Sequence, residues 1–169
     1  MSKPVEKTLG MRALERQGIP YTPLTFPETI HDALGVAEYC GLPPELVYKT
    51  LVVEVPDPAG KRRPEYVLVL VPGGHSLDLK QAAAGLGVKR VAMARREEAE
   101  RVTGLKAGGI SALGLLGKGF AVYLDEQARQ LEEIVISAGR RGINLRLRRE
   151  DFLRLTGARW LKACVPSVV

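Results

Sequence analysis

Two runs rich in β-branched residues, Val47 to Val55 and Glu65 to Val71, flank the breaker cluster Pro56-Asp57-Pro58-Ala59-Gly60. The flanking residues suit a pleated surface, while the prolines and glycine between them interrupt any regular element. The two runs are expected to pair as an antiparallel hairpin. A hairpin in the middle of the chain excludes an all-parallel sheet, so every other segment has to be built around it.

Helix signals surround the hairpin. Val5, Leu9, Ala13 and Leu14 recur at helical spacing and the pattern stops at Gly18, with Pro20 beyond, which predicts an N-terminal amphipathic helix. Tyr21 to Phe26 reads as a short strand closed by Pro27. Asp32 ahead of Ala33 to Cys40, and Asp78 ahead of Leu79 to Leu86, are carboxylate caps for helices ended by Gly41 and Gly87. Pro44 suits a first helical turn. Further helices are predicted over Arg96 to Thr103, ended by Gly104, and Asp151 to Thr156, ended by Gly157. Short strands are predicted at Phe120 to Leu124, Ile134 to Ser137 and Ile143 to Leu147. In the last of these Ile143, Leu145 and Leu147 alternate with Asn144, Arg146 and Arg148, so one face is buried and the other polar. Strands interleaved with helices make this a mixed α/β (α+β) fold, expected as a single domain over residues 1–169.

Composition removes several alternatives. At 169 residues and 46% hydrophobic, the chain can bury a conventional core without staples, which excludes disorder. Apolar runs such as Tyr66 to Pro72 fall far short of the roughly 20 residues that span a bilayer. Met1-Ser2-Lys3-Pro4 leads into no hydrophobic signal segment, so a cytoplasmic location with no membrane partner is expected. Cys40 and Cys164 are far apart and form no Cys-x-x-Cys pair, and His31 and His75 are isolated. Free thiols and loop histidines are the expected states, with no metal and no organic cofactor demanded.

Two features can carry chemistry. Lys49 falls on the strand face of Val47, Leu51 and Val53. It is either a strand-end lysine that snorkels to solvent or an ammonium at a cleft edge, aimed at a phosphate, ribose or carbonyl oxygen. Gly108-Gly109-Ile110-Ser111-Ala112-Leu113-Gly114 is either a tight turn or a loop whose amides converge on an oxygen atom. Its Gly-x-Ser-x-x-Gly spacing misses the nucleophile elbow, and Gly117-Lys118-Gly119 misses a P-loop. Ser111 is therefore expected to position substrate and not to attack it.

Basic residues gather later in the chain: Lys89-Arg90, Arg95-Arg96, Arg101, Lys106, Arg140-Arg141, Arg146, Arg148-Arg149, Arg154, Arg159 and Lys162. A salt-bridged surface explains much of this. A net charge of +6 also suits a polyanionic partner, whose binding weakens with salt by roughly 0.7 to 0.9 in log–log slope per phosphate neutralised. Aromatic residues are only 5%, which favours backbone and shape recognition over a base-stacking platform.

The ordered set Val47-Tyr48-Lys49-Thr50-Leu51, Leu77-Asp78-Leu79-Lys80, Thr103-Gly104 before Gly108-Gly109-Ile110-Ser111, and Ser137-Ala138-Gly139-Arg140-Arg141-Gly142 resembles the YbaK/ProX family. These are trans-editing aminoacyl-tRNA deacylases related to the editing domain inserted in bacterial prolyl-tRNA synthetases. The resemblance runs from about Val5 to Arg159. It implies one mainly antiparallel, barrel-like mixed sheet with surrounding helices. It also implies hydrolysis of the ester joining a wrong amino acid to the 3′ end of tRNA, most often tRNA for proline. By resemblance Lys49 is the key residue, with Thr50 beside it, and the loop from Gly108 through Ile110 to Ser111 holds the aminoacyl group. Lys49 would anchor the terminal ribose or phosphate, and the amides of Gly108 and Gly109 would polarise the ester carbonyl. Water, the vicinal ribose hydroxyl acting on water, or the thiol of a cysteinyl substrate would attack.

Three positions depart from the branch that clears cysteine from tRNA for proline: Phe26 in place of tyrosine, Asn144 in place of aspartate, and Ala112 in place of proline. Phe26 and Asn144 are candidate substrate-binding residues. The expected substrate carries cysteine or another small residue, such as alanine or serine. The resemblance also implies a transient complex with prolyl-tRNA synthetase. A non-catalytic tRNA- or synthetase-docking module and a general esterase are the competing readings. An intact Lys49 and Gly108-Gly109 pair favours the deacylase over docking, and the basic surface favours it over the general esterase.

Overall fold

The computed structural model describes residues 6–167. Val5, the first position of the N-terminal helical pattern, lies outside them. The helix itself, α1 (Leu9–Arg16), is capped by Thr8, whose hydroxyl accepts the Met11 N–H at 3.2 Å. The other helices are α2 (Ala33–Cys40), α3 (Leu79–Leu86), α4 (Arg96–Thr103) and α5 (Arg149–Thr156). Asp32 and Asp78 cap α2 and α3 as expected, and Gly41, Gly87, Gly104 and Gly157 end α2 to α5 in the left-handed conformation. Helix α5 starts two residues ahead of the predicted Asp151, and the free N–H of its first residue, Arg149, bonds to Glu132 O at 2.9 Å.

The strands are β1 (Thr22–Thr25), β2 (Tyr48–Val55), β3 (Glu65–Pro72), β4 (His75–Leu77), β5 (Ala92–Met93), β6 (Ala121–Asp125), β7 (Glu133–Ser137), β8 (Ile143–Arg148), β9 (Arg159–Leu161) and β10 (Cys164–Pro166). The predicted hairpin is the spine of a five-stranded sheet, β5-β2-β3-β6-β9. Strands β2 and β3 run antiparallel with Lys49 opposite Val71, whereas β3–β6 and β6–β9 are parallel. A second, antiparallel sheet is ordered β1-β8-β7, and β10 pairs with β4. Strands β4, β5, β9 and β10 have only two or three residues, too few to show an alternating pattern.

The fold is thus mixed α/β, as expected, but the barrel-like closure is not what the ladders show. Among the described residues one bridge, Val47 to Val135, links the two larger sheets. Both faces of the hairpin are covered. Tyr48 and Val52 pack with Leu68 and Leu70 in one cluster, while Val53 packs with Val67, Val69 and Val71 in another. A strand buried on both faces reads as a continuous apolar run, which is why Lys49 and Thr50 stand out in it.

Candidate active site

The outer edge of β2 is only partly paired. Val47 bridges to β7 at one end; at the other, Ala94 N–H donates to Val52 O at 3.0 Å, and Val53 and Glu54 pair with β5. Among the described residues the stretch from Lys49 to Leu51 has no strand on that side. A cleft of about 260 Å³ opens there. Lys49, Thr50, Phe26, Asn144, Gly108 and Ile110 all line it, together with His31, Asp32 and Ser137. Residues separated by nearly the whole chain are thus brought to one gap between two sheets.

Lys49 is half-buried, and no carboxylate lies within 4.0 Å of it among the described residues. Burial holds its ammonium below the ordinary lysine range, and the Asp32 carboxylate is the main influence in the other direction. Cys164 lies near enough to sense Lys49, but burial first, and a hydrogen bond to Asp125 second, push its thiol up to about 12. It is a neutral neighbour at physiological pH and not a nucleophile. The buried Thr50 Oγ1 has no hydrogen-bond partner among the described residues, so the cleft lining includes an unanswered hydroxyl.

The glycine loop is divided in function. Gly108 lines the cleft at φ +86, and a Cβ there would lie 3.4 Å from Arg141 Nε and 3.6 Å from His31 Nδ1. Gly109 does not reach the cleft lining: its N–H donates to Lys106 O at 2.8 Å. That amide closes a turn, so of the two expected glycines only Gly108 lines the cleft. Glycine is required at 109 because a Cβ would come within 2.9 Å of the Arg141 backbone nitrogen. Ser111 also stays out of the cleft lining. It is 1% exposed, and its Oγ accepts the Gly114 N–H at 3.2 Å.

His31 and Ser137 carried no separable signal in the sequence as cleft residues, and Asp32 was legible only as a helix cap. Among the described residues no group of three His, Cys, Asp or Glu side chains is placed to hold a metal ion. The basic surface is partly neutralised locally. Arg101, Arg146, Arg149 and Arg154 pair with neighbouring carboxylates, and Arg129 and Arg149 lie over Trp160 at 4.4 and 5.5 Å. Lys106 and Arg140, exposed beside the cleft loop, have no carboxylate within 4.0 Å among the described residues.

Comparison with known proteins places this architecture. The sequence profile of the aminoacyl-tRNA editing domain matches residues 27–155. The chain belongs to that family. An Enterococcus faecalis protein named as a candidate Cys-tRNA(Pro)/Cys-tRNA(Cys) deacylase is 36% identical over 160 residues, covering 94% of this chain and 93% of that protein. The proline–tRNA ligase of Staphylococcus saprophyticus is 29% identical over 73% of this chain, a match to 20% of the much longer ligase. A crystal structure described as a candidate trans-editing enzyme for prolyl-tRNA synthetase superposes with a TM-score of 0.73 at 26% identity, covering 96% of this chain and 98% of that one. The editing domain is a hydrolase of aminoacyl-tRNA esters.

Proposed function

We propose that this editing domain removes a small non-cognate amino acid, cysteine first and alanine or serine next, from tRNA for proline. The observation that carries the reading is the convergence of Lys49 and Gly108 on one small cleft. Its volume of about 260 Å³ lies below the roughly 300–1,000 Å³ of ordinary ligand pockets, which suits an aminoacyl group more than a whole nucleotide. Phe26, Ile30, Val36 and Val47 give it an apolar wall, and Asn144, 7% exposed, supplies a polar corner without charge.

In this reading the Gly108 N–H receives the ester carbonyl oxygen, and the Lys49 ammonium holds the terminal ribose or phosphate and stabilises charge that develops in the transition state. Attack by water, by water activated through the vicinal ribose hydroxyl, or first by a substrate thiol forms the new bond to the carbonyl carbon. Collapse of the tetrahedral adduct breaks the ester C–O bond, and the released ribose oxygen takes up a proton. With water as the attacking group the products are the free amino acid and tRNA with an intact terminal hydroxyl. Lys106 and Arg140 at the rim give the acceptor end an electrostatic landing site. The cytoplasm is the expected setting and prolyl-tRNA synthetase the expected transient partner.

The test is release of amino acid from tRNA for proline charged with cysteine, alanine, serine or proline, by wild type and Lys49→Ala. Rapid, Lys49-dependent release of one non-cognate residue with proline spared supports the reading. Salt-sensitive tRNA binding with no release from any of the four replaces it with a docking module.

A further inference from the structure

The proposed role of Gly108 raises the question of what aims its N–H. The two peptides that flank Ala107 are held from elements far apart in sequence. Arg141, in the turn between β7 and β8, donates from Nε to Ala107 O at 2.6 Å. Glu100, in α4, accepts the Ala107 N–H on Oε2 at 2.8 Å. Two charged side chains thus hold the main chain of one alanine. Neither has an oppositely charged partner within 4.0 Å among the described residues, although ion pairs occur elsewhere on this surface.

A trans peptide is planar, and its C=O and N–H point in opposite directions. Fixing the Ala107 carbonyl on Arg141 therefore fixes the direction of the Gly108 N–H, which donates to no protein acceptor among the described residues. The next amide, Gly109 N–H, is engaged with Lys106 O. The loop can approach Arg141 this closely because residue 109 lacks a Cβ. The result is one unengaged donor on a cleft-lining residue, its plane held by Arg141 and the preceding plane by Glu100, the kind of preorganisation that oxyanion stabilisation requires.

We propose that Arg141 and Glu100 are positioning residues for deacylation, aiming the Gly108 N–H at the ester carbonyl oxygen by clamping Ala107. The proposal rests on the deacylase reading and deepens it. Neither side chain needs to touch the substrate. Loss of Arg141 frees the Ala107–Gly108 plane directly, loss of Glu100 frees the Lys106–Ala107 plane on which it pivots, and a misplacement of about 1 Å at a reacting centre costs on the order of 100-fold in rate.

Deacylation kinetics of Arg141→Ala, Glu100→Ala and Glu100→Gln, with salt dependence and thermal unfolding of each, test this. Expected are a roughly 10- to 100-fold fall in kcat for both alanine variants, with KM and salt slope close to wild type. Glu100→Gln, whose amide oxygen still accepts the Ala107 N–H, recovers most of that loss. An Arg141→Ala variant that keeps kcat overturns the proposal. So does one that raises KM and lowers the salt slope by about one, since Arg141 would then be a phosphate ligand. If Arg141→Ala does not fold, the Glu100→Ala and Glu100→Gln pair decides, and equal activity in the two sinks the clamp. A wild type that releases amino acid independently of Lys49 removes the underlying reading, whereas Lys49-dependent release indifferent to the clamp removes only this inference.

Discussion

Asp32 Oδ1 accepts the Gly35 N–H at 2.5 Å while the same carboxylate faces Lys49 in the cleft. One side chain both starts α2 and opposes the loss of charge on the lysine. The two roles separate by mutation. Asp32→Asn keeps an N-cap acceptor and removes the charge, so thermal unfolding stays near wild type. The Lys49 ammonium then loses its main electrostatic support, and the alkaline limb of kcat/KM moves to lower pH. Asp32→Ala removes the cap as well and costs about 1 kcal/mol of stability. An unshifted limb in Asp32→Asn would show that the carboxylate serves the helix alone.

Lys49 itself should trade stability for activity. Its folded pKa lies below its unfolded value because of burial, so between the two values the unfolded chain binds more protons and stability rises with pH. Activity runs the other way, falling as the ammonium loses its proton. Lys49→Met is expected to abolish deacylation, to remove that pH dependence of unfolding, and to raise Tm. The check is thermal unfolding of wild type and variant across the alkaline range; a lower Tm in the variant contradicts the desolvation argument.

The two glycines should respond differently to alanine. Gly109→Ala drives a Cβ to within 2.9 Å of Arg141 N and 3.0 Å of Arg140 C, both backbone atoms that cannot swing aside. A loss of about 1–3 kcal/mol is expected, with a fall in kcat as the loop is displaced. Gly108→Ala meets atoms no closer than 3.4 Å, and its penalty comes from φ +86, about 1 kcal/mol. Chemical denaturation of both variants ranks them, with Gly109→Ala the less stable.

Ser111→Ala should be a stability variant. Its Oγ serves the Gly114 N–H inside the loop, so its removal is expected to cost about 1 kcal/mol and to change kcat less than twofold. A large loss of kcat at unchanged stability would return Ser111 to the reacting centre.

Tyr48 offers a test of the core behind the site. Its hydroxyl is buried without a hydrogen-bond partner among the described residues, and burial raises its pKa, with the Asp125 charge adding to it. Tyr48→Phe deletes the unanswered group and keeps the ring. Stability is expected to rise by about 1 kcal/mol, read from the denaturation midpoint.

Much of this architecture is local. The Asp32–Gly41 and Asp78–Gly87 brackets and the hairpin on either side of Pro56 to Gly60 are set by interactions within a few residues or one turn, so residue order alone specifies them. The anomaly of Lys49 in an apolar strand was legible for the same reason. Where the site lies was not. The gap along β2 exists because β7 bridges at Val47 and β5 joins only at Val53 and Glu54, and those neighbours come from later, distant parts of the chain. The adjacent glycines likewise look equivalent in sequence. A local turn engages the Gly109 amide with Lys106 and leaves the one at Gly108 without a protein acceptor among the described residues, while tertiary structure brings Arg141 to Ala107 across 34 positions. Periodicity and capping are properties of neighbouring residues, whereas the free edge of a strand and the orientation of a single peptide plane are set by what packs against them from elsewhere.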